Sequence, residues 1–421
     1  MRGDVDRAGI VHPPDERPLT GSVLERDTYV RAVLERNPTT ESARQSWRAA
    51  VARVRSSGAL PDPMVTLEAA PLTIGSSRTS LGYVASVSQE VPWFGKLSLD
   101  SSVARAEADA ARSDFEAMRR EVALTAALLY DRYYVAVRSL EINAEHVALM
   151  RQLEAGATAQ FESGHASAQD PLQAEAELTH MEHDSVTLAS DRDVAVAQMN
   201  ELLHRDPELP LPPPAKELRV PAQGSDVHEA PRLQQAAIAE RPEVKAAQLH
   251  ARAEEARAER AARESYPDVT VMTSYNSMWD APEQRWMVGV GLNLPIQLGR
   301  RAGAVEEARS ARARFESDAA AAKDKARTEV VVALKRLAEA QHVLRLYDER
   351  LIPIARMEID AARAGFITSR NDFVAVVAAE KNLRSVELEY QVALAGLDQR
   401  RAELDRALGR IPGLDQAAGA P

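Results

Sequence analysis

The apolar residues of this chain follow two periods, one typical of strands and one typical of helices. Apolar side chains first occupy every second position at Leu81, Tyr83, Ala85 and Val87. Strict alternation of this kind predicts a strand with one apolar face. The alternation ends at Pro92, and neither proline nor glycine occurs from Lys96 to Ala155. A long helix is therefore predicted shortly after the strand.

The same succession of strand and helix occurs a second time. Alternate positions are again apolar at Trp286, Val288, Val290, Leu292 and Leu294. This strand pattern ends at Pro295, and a second helical segment follows Gly299. We predict junctions between sheet and helix at both places, marked by Pro92 and Gly95 in the first half and by Pro295 and Gly299 in the second.

Four landmarks recur in the same order at a nearly constant spacing. Asn37-Pro38 matches Arg241-Pro242 at 204 positions, Pro61-Asp62 matches Pro267-Asp268 at 206, Gly95 matches Gly299 at 204, and His204-Arg205 matches Gly409-Arg410 at 205. Such a repetition indicates an internal duplication. Each half is predicted to contain a helix, two strands, a long helix, a glycine-containing turn and another long helix.

The predicted fold is mainly α-helical with a small β part, and it is divided into five segments. These are a flexible N-terminal segment at 1–26, a first repeat at 27–204, a proline-rich linker at 205–236, a second repeat at 237–410 and a tail at 411–421. The strands are expected near 64–72, 79–91, 268–278 and 285–294. Helical hairpins are expected at 96–204 and 300–408, with tips near 164 and 365, because their apolar residues are spaced alternately by three and four.

Composition and charge narrow the classes of protein that fit this pattern. The 421 residues are 45% hydrophobic but only 5% aromatic, which favours long helices packed by small side chains. The net charge of −11 argues against a nucleic-acid partner. The chain has no cysteine, so disulfides and thiolate ligands are excluded. Because no run of about 18 apolar residues occurs, contact with a membrane would have to involve the strands.

The four predicted strands are long enough to cross a bilayer at a tilt but too few to close into a barrel. Open strand edges are not tolerated in lipid, so the edges must pair with other copies of the chain. Two copies would give a plugged eight-stranded barrel. Three copies would give an open twelve-stranded barrel together with a ring of twelve helices.

The duplicated plan and several stretches of sequence resemble the TolC-like outer-membrane efflux factors from about Asp27 to Arg410. These stretches are VSQEVPWFGKL, LNLPIQLGRR, IPIARMEIDAARAGF and DPLQAEAEL. The stretch from Gln89 to Lys96 further resembles the heavy-metal branch of that family, whose members work with cation-exporting pumps of the resistance-nodulation-division class. The resemblance implies a homotrimeric barrel in the outer membrane that continues as a periplasmic tunnel of coiled-coil helices.

The same resemblance implies a passive duct that needs no cofactor. Its periplasmic tip would dock to an adaptor protein and an inner-membrane pump, and it would export heavy-metal cations or drugs. The sequence contains no glycine-rich phosphate loop, no Ser/His/Asp arrangement and no HExxH motif, so an enzyme is not expected.

In this family, the tip of each helical hairpin is a turn centred on a glycine. The resemblance maps the adaptor-docking tips onto Ser163, Gly164 and His165 in the first half and onto Ala364, Gly365 and Phe366 in the second. Glycine permits the positive φ and the close backbone approach that such a turn needs. The alternative is that these glycines merely end helices.

The gate of the family uses acidic side chains shortly after the tip glycine. Asp170, six residues after Gly164, fits that spacing, and Arg370 is a partner to consider for it. In the second half the same spacing falls on Asn371. Asp372 follows, and it fits better after an insertion of four residues.

Two histidines on a predicted helix are weak candidates for a metal site. His180 and His183 lie three positions apart beside Glu182 and Asp184, as ligands of a borderline cation could. The alternative is a pair of solvated side chains on a charged helix.

Two other classes of protein remain open at this stage. A cytosolic coiled-coil scaffold would fit the N-terminus, since residues 1–20 have neither an apolar central region nor a small-residue cleavage site. An exported protein would need such a signal, unless the chain is a truncated or mature form. The scaffold does not explain four alternating strands at matched offsets. A periplasmic adaptor would need additional β-rich domains that the sequence lacks.

Overall fold

The computed structural model describes residues 19, 21–74, 82–93, 95–164, 166–218, 229–368 and 370–414. Most of the predicted N-terminal segment and most of the predicted tail lie outside the described residues. The chain divides into two compact units. One contains Met1–Ser42, Glu116–Arg241 and Asp324–Pro421, and the other contains Ala43–Phe115 and Pro242–Lys323. We call them the hairpin unit and the sheet unit.

The two halves of the chain contain the same elements in the same order, except that the long helix of the second half is divided into α7 and α8. The first half has α1 (Arg26–Arg36), α2 (Pro38–Ser57), β1 (Met64–Ala70), β2 (Gly82–Val91), α3 (Lys96–Glu162) and α4 (Gln169–Leu202). The second has α5 (Ala230–Glu240), α6 (Pro242–Arg263), β3 (Val269–Asn276), β4 (Trp286–Leu292), α7 (Leu298–Leu346), α8 (Ile352–Ile367) and α9 (Phe373–Ala407). Helix α5 begins at Ala230, inside the segment predicted as linker.

The sheet unit contains one antiparallel sheet of four strands in the order β1-β2-β3-β4. Val65 pairs with Val87, Val87 with Thr273, and Thr273 with Val288. Residues that pair directly point to the same face of a sheet. One face therefore carries Val65, Leu67, Tyr83, Val87, Val271, Val288 and Val290, and the opposite face carries Thr66, Ser86, Ser88, Ser274, Gly289 and Gly291.

The apolar face of this sheet is exposed in the single chain. Val65 and Leu67 on β1 are each 73% exposed, and Val288 and Val290 on β4 are 80% and 70% exposed. Strands β1 and β4 are the two edges, and neither pairs with a further strand among the described residues. A face of this kind needs an apolar environment, and its edges need hydrogen-bonding partners.

The hairpin unit has its core where the short helices pack on the long ones. Tyr29, Val30 and Val33 of α1 form a buried cluster with Tyr130 of α3 and Met199 of α4. The Tyr29 hydroxyl donates a hydrogen bond to the Met199 carbonyl at 3.1 Å. In the second half, α5 contributes to an equivalent cluster through Ala237, which packs with Val330, Leu334, Leu337 and Leu397. The duplication therefore extends to the core.

The long helices of the two halves differ in regularity. Gly156 lies inside α3 without ending it, since one glycine costs a helix only about 1 kcal/mol. The long helix of the second half was expected to run without a break, but a π-helical turn at Tyr347–Leu351 separates α7 from α8. Pro353 follows this turn, and its missing N–H explains why regular hydrogen bonding stops there. No described helix is both long and apolar enough to cross a bilayer.

Candidate functional site: hairpin tips, buried charges and sheet junctions

The first predicted tip is a short turn between α3 and α4. Gly164 has φ of +76° and nothing within 4 Å of the place where a Cβ would be, so glycine is favoured here by its backbone alone. Its N–H donates to the Phe161 carbonyl at 2.9 Å, and Ser163 N–H donates to the Ala159 carbonyl at 3.1 Å. These bonds satisfy carbonyls at the end of α3. His165 lies outside the described residues.

The acidic residue predicted for the gate lies in the first turn of α4. Asp170 is half-buried, and its N–H donates to the Ser167 carbonyl at 3.1 Å. A carboxylate in the first turn of a helix is stabilised by the helix dipole. Arg370 and Asp372 are exposed at the second tip. Among the described residues of this single chain, no ion pair joins Asp170 to Arg370 or involves Asp372.

The second tip is built differently from the first. Gly365 lies within α8, which ends at Ile367, and its φ is not positive, so the expectation of a left-handed glycine is wrong here. Its carbonyl accepts hydrogen bonds from the N–H groups of Arg370 at 2.8 Å and Asn371 at 3.2 Å. A Cβ on Gly365 would lie 2.6 Å from Cγ of Asn371. A side chain at this position would therefore force the Asn371 side chain to move.

Phe366 fixes the base of this second turn. Its ring contacts the ring of Phe373, the first residue of α9, with centroids 5.4 Å apart and an edge-on angle of 60°. Phe373 is fully buried, whereas Ala364 is exposed. The predicted tip triplet therefore combines an exposed residue with one that anchors the turn.

A buried histidine joins the two hairpins. His146 of α3 is only 5% exposed, and both of its ring nitrogens face carboxylates of α9. Nδ1 lies 2.5 Å from Glu380 and Nε2 lies 3.0 Å from Glu387. Because a carboxylate accepts hydrogen bonds and cannot donate them, both ring nitrogens must donate, as they do only in the imidazolium form. Two arginines of α8 complete the group, Arg363 beside Glu380 at 3.3 Å and Arg356 beside Glu387 at 3.2 Å.

This arrangement favours the charged form of the histidine. Burial alone lowers the pKa of His146, but hydrogen bonds and attraction to Glu380 and Glu387 outweigh it and raise the pKa to about 9. The hydrogen bond from His146 in turn lowers the pKa of Glu387. His146 is therefore a cation at neutral pH.

A second buried group lies on the same helices. Arg384 of α9 donates to Oδ1 of Asn143 at 2.8 Å and to Asp184 of α4 at 2.9 Å. Nδ2 of Asn143 donates to the Met181 carbonyl at 2.9 Å. Sequence reasoning missed both groups. The available signal was Glu380 and Glu387, spaced seven apart beside the apolar stripe of α9.

The first junction between sheet and helix contains a buried ion pair. Lys96, the first residue of α3, is 1% exposed, and its Nζ lies 2.8 Å from both carboxylate oxygens of Asp268, which precedes β3. The same ammonium donates to the Tyr266 carbonyl at 3.1 Å. Gly95 adopts φ of +75° just before it, and Pro92 ends the preceding strand region. At the second junction Gly299 lies inside α7 and Pro295 precedes that helix.

The predicted histidine pair shows no arrangement for a metal. His180 and His183 are both exposed on α4. Their acidic neighbours are engaged elsewhere, since Glu182 pairs with Arg151 at 3.1 Å and Asp184 pairs with Arg384. Over the described ranges, no group of three or more His, Cys, Asp or Glu residues is placed to hold a metal ion.

Comparison with known proteins agrees with the sequence resemblance. Residues 233–410 match the family model described as outer membrane efflux protein. No curated protein sequence matches the chain. Among solved structures, that of CusC has a TM-score of 0.78 at 18% identity and covers 95% of this chain and 97% of its own. VceC from Vibrio cholerae has a TM-score of 0.74 at 16% identity, and the match covers 91% of this chain and 96% of VceC. The open state of the MtrE channel from Neisseria gonorrhoeae has a TM-score of 0.73 at 16% identity, and the match covers 91% of this chain and 89% of MtrE.

The similar solved structures show which fold the chain has. At such low identity they establish the fold, which is that of TolC-like outer-membrane efflux channels. The match over residues 233–410 then adds the sequence signature of the outer membrane efflux protein family, and the predicted resemblance is confirmed. Channels of this family are passive and are not enzymes.

Proposed function

We propose that the chain forms a homotrimeric export duct in a bacterial outer membrane. The observation that carries this proposal is the four-stranded sheet, which has an exposed apolar face, an opposite face rich in serine and glycine, and two open edges. An apolar face suits lipid, and the small polar face suits an aqueous lumen. Three sheets joined edge to edge make a twelve-stranded barrel with an open channel, and closure leaves no strand edge in the bilayer.

The helical hairpins serve as a periplasmic tunnel in this proposal. Their tips dock to a periplasmic adaptor and, through it, to an inner-membrane pump of the resistance-nodulation-division class. The cargo is a heavy-metal cation or a drug, and the resemblance of Gln89 to Lys96 to the heavy-metal branch favours the cation. The net charge of −11 acts in the same direction, since an acidic tunnel raises the local concentration of cations.

The proposed duct is tested by its mass in detergent and by the accessibility of the sheet. Light scattering should give a trimer, and a monodisperse monomer would contradict the proposal. Val87→Cys and Ser88→Cys form a matched pair on β2, because the two neighbours point to opposite faces. In liposomes, a membrane-impermeant thiol reagent should label Ser88→Cys faster than Val87→Cys. Faster labelling of Val87→Cys would overturn the assignment of the faces.

The docking role of the tips is tested at Gly365. The methyl group of Gly365→Ala should displace Asn371 and reshape the turn, so efflux-dependent growth on metal salts or drugs should fail while the trimer remains in the outer membrane. Gly365→Ala with Asn371→Ala removes the clash and should restore growth. Intact growth of the single variant at normal expression would remove the docking assignment.

The gating role is tested at Asp170. Asp170→Ala should raise single-channel conductance in planar bilayers, since a carboxylate that helps hold the closed state is lost. Glu175→Ala, an exposed acid on the same helix, is the matched control and should change conductance less. Equal conductance of Asp170→Ala and the unsubstituted protein would remove Asp170 from the gate.

A further inference from the structure

The two sheet junctions have the same pair of opposite charges in sequence. Asp62 corresponds to Asp268 at an offset of 206, and Arg300 corresponds to Lys96 at an offset of 204. In each half, the acid precedes the first strand and the base follows the second strand near the start of a long helix. The duplicated sequence therefore offers two ion pairs of the same design.

Only one of these pairs forms within the chain. Lys96 and Asp268 meet because β2 and β3 are neighbours in the sheet, so the end of β2 lies beside the start of β3. Their contact is nearly dry, with Lys96 1% and the Asp268 side chain 12% exposed. A buried ammonium is stable only when it is paired and hydrogen-bonded, as it is here.

The other two charges stand at opposite edges of the sheet. Asp62 precedes the edge strand β1, and Arg300 follows the edge strand β4. Both side chains are exposed, and within the described part of the chain neither takes part in an ion pair or a side-chain hydrogen bond. In the first junction the equivalent residues are among the most buried charges of the sheet unit. Among the residues described, Asp62 therefore lacks a basic partner, and the opposite edge carries the base Arg300. Arg300 in turn lacks an acidic partner there, and the opposite edge carries the acid Asp62.

We propose that Arg300 of one copy binds Asp62 of the next copy, repeating between chains the ion pair that Lys96 and Asp268 form within a chain. This inference rests on the trimer of the proposed function. One contact then gives a partner to Arg300 at one edge and to Asp62 at the other. It is possible because a ring of identical sheets places the end of β4 beside the start of β1 of the next copy.

The duplication also fixes the register of this joint. Within the chain, Gln89 pairs with Val271 and Val87 pairs with Thr273. Pro92 matches Pro295 at an offset of 203, and Pro61-Asp62 before β1 matches Pro267-Asp268 before β3 at 206. The same pairings between copies therefore set Leu292 opposite Val65 and Val290 opposite Leu67. All four are exposed apolar residues on the same face of the sheet, so the register keeps that face continuous across the joint.

The change from lysine to arginine agrees with a local difference between the junctions. Helix α3 begins at Lys96, whereas α7 begins at Leu298, two residues before Arg300. Lys96 is therefore the first residue of its helix, whereas Arg300 is the third residue of its own. The guanidinium group is longer and forked, so it reaches a carboxylate from a wider range of positions and binds it through two hydrogen bonds.

Cross-linking tests the register, and the absence of cysteine from these 421 residues gives a clean background. The double variants Val65→Cys with Leu292→Cys and Leu67→Cys with Val290→Cys should each form disulfides between chains, giving covalent trimers in denaturing gels. The control Leu67→Cys with Leu292→Cys is two residues out of register and should cross-link far less. Stronger cross-linking of the control would overturn the proposed joint.

Charge exchange tests the ion pair itself. Asp62→Arg and Arg300→Asp should each weaken the trimer, seen as loss of the detergent-resistant trimer band at a lower temperature, and the two changes together should restore it. A double variant no more stable than the singles would refute the pair. These outcomes are distinct from failure of the proposed function, because that failure would appear as a monomer in light scattering of the unsubstituted protein.

Discussion

Two buried charged contacts connect the first half of the chain to the second, one in each compact unit. In the sheet unit, Lys96 meets Asp268 in a nearly dry ion pair. In the hairpin unit, His146 meets Glu380 and Glu387, and the charge depends on a proton that the histidine can lose. The chain therefore joins its halves by a lysine–carboxylate ion pair at one place and by a histidine that can titrate at the other.

The difference follows from what surrounds each cation. Lys96 has one carboxylate and one backbone carbonyl as acceptors, which match the donors of an ammonium group without further charges. His146 lies between two carboxylates, each of which also contacts an arginine of α8. Deprotonation of His146 would leave that group with two carboxylates and one unprotonated nitrogen facing an acceptor. The strength of the hairpin contact therefore depends on pH.

The largest effect is expected from breaking the sheet contact. Lys96→Met leaves the Asp268 carboxylate in a nearly dry site without its partner, which should lower the free energy of unfolding by about 3 to 5 kcal/mol. The thermal unfolding midpoint of the purified protein measures this loss. Arg151→Met breaks the exposed pair with Glu182 and should cost about 1 kcal/mol or less. Equal losses in the two variants would contradict the account of the junction.

The second prediction concerns the pH dependence of the hairpin contact. The pKa of His146 is raised from 6.5 to about 9, so the folded state binds this proton more tightly than the unfolded chain. The resulting stabilisation is complete below about pH 6.5 and is lost as the pH rises through about 9, amounting to about 3 kcal/mol. Unfolding midpoints between pH 6 and about 10 would record it.

The control for this pH profile is His146→Gln, which cannot titrate. Buried acids such as Asp131, whose pKa burial raises well above the usual range, contribute equally to both proteins. The difference between the two profiles therefore isolates His146. A constant difference across the whole range would show that His146 does not bind its proton more tightly in the folded protein.

A smaller change in stability is expected when Glu387, the more exposed carboxylate beside His146, is replaced. Glu387 is partly exposed and Glu380 is fully buried, so Glu387→Gln removes the weaker of the two partners. The loss of stability on raising the pH should then end at a lower pH and be smaller, since the pKa of His146 in the folded protein falls. A titration of the His146 ring by NMR measures this directly. An unchanged pKa would show that Glu380 alone holds the proton.

Much of the fold could be predicted from sequence because it depends on local patterns. Alternation in β2 and β4 gave the two faces of the sheet, and the spacing of Asn37-Pro38 and Arg241-Pro242 gave the duplication. The starts of α5 and α6 at Ala230 and Pro242 follow those of α1 and α2 by 204 positions. The beginning of α5 was missed, since the proline-rich composition before it resembles a linker.

The contacts that define the site could not be predicted in the same way. His146 and Glu380 are 234 positions apart, and no local period relates them. Gly164 and Gly365 also look alike in sequence, although the first is favoured by a positive φ and the second by the nearby side chain of Asn371. Such differences depend on which atoms lie nearby, and a single sequence does not encode that in a readable pattern.

The central claim is that this chain forms an open duct through a membrane, and conductance across planar bilayers tests it most directly. The detergent-purified trimer should insert and give uniform conductance steps, whereas the same protein unfolded by heat before addition should give none. Absence of conductance steps from protein whose trimeric mass has been verified would contradict the claim.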